Sequence, residues 1–161
     1  MIFDGIDNQK LEFTLIPFDP HEYELMTGLV VGDDFEHNDV GFNLVIGNIE
    51  IFASLFISDV IKMIDWFEDL SLNKSVDLIL SVYHGQLYFD LLKNDPDLKH
   101  IRITHDGSVP IPGCGGYSGN LEEIFKMYFV ECEMNKWQLQ KIVRELKSEL
   151  YNAFKKRLSK S

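Results

Sequence analysis

The chain has 161 residues, with 26 acidic against 15 basic side chains and a formal net charge of −11. Its apolar share of 45% and charged share of 25% are those of an ordinary soluble protein, and its length suits a single domain, residues 1–161, with a core that needs neither disulfides nor a metal. Two cysteines exclude a disulfide scaffold, no run of ~18 apolar residues offers a spanning helix, and acids near the start oppose a signal peptide, so the expected location is cytoplasmic.

The charge is unevenly spread. Residues 1–50 hold 11 acids and one base, 51–100 hold 8 and 4, and 101–161 hold 7 and 10. An acidic excess repels phosphate backbones, which argues against nucleic-acid binding. It either keeps the chain soluble or draws a basic protein partner.

In chain order, the first half reads as strands. Leu11–Ile16 is β-rich, and Tyr23–Val31 follows the Asp19-Pro20 turn signal. Gly32 to Asp39 is a polar, acidic loop. Phe42–Ile46 and Ile49–Ile57 are joined by Gly47-Asn48, a two-residue hairpin signal with glycine first. The period then becomes helical from Ser58 to Leu72, where Val60, Ile61, Met63, Ile64, Phe67 and Leu70 form a stripe and Ser58 is the expected N-cap. Strands return at Val76–Val82, Leu87–Leu91 and His100–His105, and 106–120 reads as a glycine- and proline-rich loop. Ile124–Glu133 is a last strand, with Phe125 and Phe129 assigned to the core.

The closing element is a helix capped by Asn135, with Gln138 reaching back and a stripe from Leu139 to Phe154. Strands adjacent in sequence and few helices argue against a parallel doubly wound sheet. The expected fold is α+β: an antiparallel sheet of about seven strands packed with two amphipathic helices.

No catalytic constellation stands out. Cys114, in a glycine-rich loop, is the one candidate nucleophile, with His84, His100 or His105 as base and Asp106 as orienting carboxylate. No cation or helix N-terminus is expected beside it to lower its pKa. Cys132 reads as a small core hydrophobe. No histidines stand at the helical spacing of metal ligands, and the acids around His37 do not follow a Ca²⁺-loop pattern. The glycines from 113 to 119 lack the Lys-Ser/Thr ending of a phosphate loop. Neither a metal nor a cofactor is expected.

From residue 42 onward the order of elements resembles small bacterial immunity proteins of polymorphic-toxin and contact-dependent inhibition systems. The resemblance rests on the strand Ile51-Phe52-Ala53-Ser54-Leu55-Phe56 and on a short helix opening at Ser58-Asp59 and holding Trp66-Phe67-Glu68-Asp69-Leu70. It continues through several strands, then Phe125 to Glu131, into the closing helix from Asn135 to Phe154. It implies a cytosolic, non-enzymatic inhibitor of one cognate toxin domain. Such a toxin is basic where its substrate is nucleic acid, so the acids Asp33, Asp34, Glu36 and Asp39 are the expected partner-binding residues. A membrane is not an expected partner. A small interaction module and a Cys114-dependent hydrolase remain the alternatives.

Overall fold

Alternation of apolar and polar side chains builds the first sheet. In the computed structural model, which describes residues 1–17, 39–82, 86–107, 116–118 and 126–158, β1 (Ile2–Asp4) pairs with β2 (Lys10–Ile16). β2 pairs with β3 (Asp39–Ile46), and β3 with β4 (Ile49–Phe56). Leu11, Phe13 and Leu15 on β2, Phe42 and Leu44 on β3, and Ile51, Ala53 and Leu55 on β4 all turn to one buried face, as a side-chain period of two requires. The β3–β4 hairpin closes at the pair Ile46 and Ile49, with Gly47 at φ +60° supplying the conformation this turn needs.

At Ile57 the period changes to 3.6. Helix α1 (Ile57–Ser71) buries Val60, Met63, Ile64, Trp66, Phe67 and Leu70. Ile61 is exposed rather than part of this stripe. The N-cap is Phe56, without a side-chain cap, rather than Ser58. Its end is well specified: Asn73 takes φ +56°, its N–H reaches the Leu70 carbonyl, and the Lys74 N–H reaches Asp69 O at 2.9 Å. These two bonds make a Schellman motif, which satisfies carbonyls the helix leaves open.

A second antiparallel sheet follows, in the order β5 (Ile79–Val82), β6 (Leu87–Asn94), β7 (Leu98–Asp106), β9 (Met127–Asn135). Between β7 and β9 the chain sends β8 (Gly116–Ser118) back to the first sheet, where it pairs with β4. The fold is therefore α+β, as expected, but its nine described strands form two sheets of five and four rather than about seven in one. The stretch read as a loop over 106–120 contains β8. The extra short strands, β1 and β8, are three residues each, too short to show a period.

Helix α2 (Lys136–Leu158) packs on α1, β2 and β9. Its start is the reciprocal cap expected from the sequence: the Gln138 N–H donates to Asn135 Oδ1 at 3.0 Å, and the Asn135 N–H to Gln138 Oε1 at 2.9 Å. One hydrophobic cluster draws on both sheets and both helices. At its centre Phe3, Phe67 and Phe89 join β1, α1 and β6, with ring centroids 5.5 to 6.5 Å apart. The Trp66 indole N–H closes the edge by donating to Asp77 O at 2.9 Å.

Candidate partner-binding surface

The second sheet has one face in the core and one face outward. On β9, Val130, Cys132 and Met134 are buried, so Met127, Phe129, Glu131 and Glu133 must point the other way. The expected place of Phe129 in the core is thus corrected: it is 49% exposed, and Met127 beside it 57%. On β4, Phe52 is half-buried and Phe56 exposed, on the face opposite Ile51, Ala53 and Leu55. A signal for Phe129 was present in the alternation of Glu131 and Glu133 with Cys132 and Met134, which sets the parity of the whole strand.

Register places Asp106, Thr104, Arg102 and His100 of β7 opposite Met127, Phe129, Glu131 and Glu133. Arg102 donates from Nε to Glu131 Oε1 at 2.9 Å and from a second guanidinium nitrogen to the same oxygen. His100 Nε2 lies 3.1 Å from the other carboxylate oxygen. The guanidinium also stands 5.0 Å from the centroid of the Phe129 ring, a cation–π contact. Arg102, and then His100, hold the Glu131 carboxyl below the usual carboxylate range, against the opposing effect of burial. The arrangement stiffens an aromatic side chain at the surface.

Beside Phe129 lies a cleft of about 560 Å³. Met127 and Phe129 form one wall, Gln9 of the β1–β2 turn with Lys10 and Glu12 of β2 another, and Val45 to Gly47 close it at the β3–β4 turn. Gly5 holds the walls together: a Cβ there would come within 2.9 Å of Val130 Cγ1. The next residue, Ile6, donates its N–H to Glu131 O at 2.9 Å.

The remaining candidates divide as follows. Asp33, Asp34 and Glu36, and likewise Cys114, His21, His37 and His84, lie outside the described residues. Of Asp39 only the backbone is described, at the start of β3 opposite Phe56. Cys132 is fully buried, and burial pushes its thiol up to about 12, so it is no nucleophile at neutral pH. His105 is 2% exposed and turned inward, its Nδ1 has no hydrogen-bond partner among the described residues, and burial lowers its pKa to about 4. Among the described residues no group of three His, Cys, Asp or Glu side chains is placed to hold a metal ion. No described helix is long and apolar enough to cross a membrane.

With this geometry in place, comparison with known families is decisive. The immunity protein WapI-like family matches residues 2–153. The chain belongs to that family. The match runs from β1 to the last turns of α2, so it takes in both sheets, the cleft and the residues before 42 that the sequence resemblance left out. No curated protein and no solved structure matches the chain. Membership of the WapI-like immunity family makes a toxin the general class of partner and confirms the resemblance to immunity proteins of toxin systems.

Proposed function

We propose that this chain is a non-enzymatic immunity protein that binds and neutralises a cognate toxin domain in the cytoplasm, through a surface of net negative charge. The observation that carries the reading is the family match across residues 2–153. The charge supports it: an excess of eleven acids suits a basic partner and raises its rate of encounter. Of the 26 acids and 15 bases, the described residues hold 18 and 14, so most of the excess falls on the remaining sequence, which includes Asp33, Asp34 and Glu36. These three, with Asp39, form the proposed acidic docking segment. The inert Cys132 thiol removes one nucleophile from an enzymatic reading.

Co-expression with the cognate toxin domain tests the function directly, with rescue of growth as the expected outcome. Loss of growth despite soluble expression of the chain overturns it. The docking segment has its own test. Replacing Asp33, Asp34 and Asp39 by Asn and Glu36 by Gln should slow association and flatten its dependence on salt. An unchanged association rate places the acidic contact elsewhere.

A further inference from the structure

We propose that the cognate toxin docks an extended, apolar-bearing segment with basic flanks into the cleft beside β9, with Met127 and Phe129 as its anchors. This rests on the reading of the chain as a toxin-binding protein and adds the site to it. Four observations converge there. Met127 and Phe129 are large apolar side chains, 57% and 49% exposed, on one outward strand face. They wall a concave site of about 560 Å³, within the range of binding pockets, rather than a flat surface. Phe129 is held in advance by Arg102, itself fixed on Glu131, so binding sacrifices little side-chain freedom. Aromatic and arginine side chains in such settings dominate interface energetics.

The fourth observation concerns the main chain. The Ile6 N–H bonds Glu131 O, and the Asp106 N–H bonds Gln86 O, so β7 and β9 turn these residues' peptide groups away from each other. By the alternation of an antiparallel pair, the peptide groups of Met127 and Phe129 also point away from β7, on the side of the cleft. An extended segment laid there meets donors and acceptors spaced for strand addition.

Charge selects the partner. The outward positions of β6, β7 and β9 carry Asp90, Asp106, Glu131 and Glu133 against Lys93 and Arg102, and the cleft wall adds only the mutually paired Lys10 and Glu12, so the balance stays negative and a basic segment is favoured over an acidic one. The cleft lies at the Ile46 end of β3, seven residues from Asp39, or about 23 Å along the strand. One interface of about 800 Å² per partner can cover both.

Titration calorimetry of the full chain against a catalytically disabled cognate toxin domain tests the site. Phe129→Ala should weaken binding about thirtyfold or more, as loss of a central anchor does. Met127→Lys should weaken binding as well and slow association, by adding a like charge against a basic segment. Trp137→Ala and Tyr151→Ala, at exposed positions on α2, should leave affinity within about twofold. Thermal unfolding of each variant verifies that it is folded. Retained tight binding by both Phe129→Ala and Met127→Lys overturns the site, whereas failure of the unaltered chain to bind overturns the functional reading instead. A concentration-dependent dimer that Phe129→Ala abolishes, with toxin affinity unchanged, assigns the cleft to a second copy and also overturns the proposal.

Discussion

His105 shows how a single buried side chain ties stability to pH. Its imidazole is buried with Nδ1 unpartnered among the described residues, and its pKa falls from 6.5 to about 4 because burial outweighs the favourable field of Asp106. The unfolded chain binds a proton near pH 6.5 and the folded chain does not until about pH 4, so stability rises with pH between these limits. The native state should therefore lose on the order of 3 kcal/mol as pH falls through that window. His105→Leu, which leaves no orphaned nitrogen, should flatten the slope between pH 6.5 and 4 in urea titrations; an unchanged slope refutes this account. Glu131 acts lower on the scale: its pKa is depressed, so the stability it contributes is present above the ordinary carboxylate range and lost as pH falls through its folded value. Asn73 is a second sensitive residue. It takes a left-handed conformation, and its Oδ1 accepts from the buried Lys99 Nζ at 2.6 Å, with Asp95 O as the other acceptor at 2.7 Å. Asn73→Ala combines backbone strain with a lost partner for Lys99 and should cost about 2–4 kcal/mol by denaturant unfolding.

Among the elements, the helix starts and the short turns differ most in how much local sequence specifies them. The cap at Asn135 and Gln138 was legible because both partners sit on the same short stretch. Asn135→Ala should destabilise the fold by about 1 kcal/mol in chemical denaturation. Helix α1 carries no side-chain cap, since it is entered directly from β4, and the tertiary placement of that strand orients it. The turn from β1 to β2 is a matter of distance instead. Gly5 abuts Val130 and Gln9 O so closely that a methyl group forces the turn off β9. Gly5→Ala should therefore lower the midpoint of thermal unfolding and disturb the cleft next to it, and a variant as stable as the parent would contradict the contact.

For the whole molecule, the shared core is the consequential feature. Both sheets and both helices contribute to one hydrophobic cluster, and Phe67 of α1 touches Phe3 of β1 and Phe89 of β6. We expect one cooperative unfolding transition, as a single domain gives, with Phe67→Ala costing about 3–5 kcal/mol. Two separated transitions in calorimetry would show that the sheets fold independently. Charge also reorganises at this scale. Lys147 of α2 pairs with Glu68 of α1 at 3.2 Å, so one base of this lysine-rich helix neutralises an acid of its neighbouring helix.

The amino-acid sequence by itself determined the fold class, the long strands among the described residues, both helices, the glycine-first hairpin and the acidic composition, while the strand expected at Tyr23–Val31 lies outside the described residues. Those features depend on side-chain period, turn chemistry and composition, all of which act over a few residues. Only the tertiary structure decided that the strands divide into two sheets, that β8 leaves one for the other, and that Phe129 faces outward beside a cleft. An aromatic residue on a strand is compatible with either face until a neighbouring sheet covers one of them. The partition of apolar surface between core and interface is therefore a property of how the elements meet.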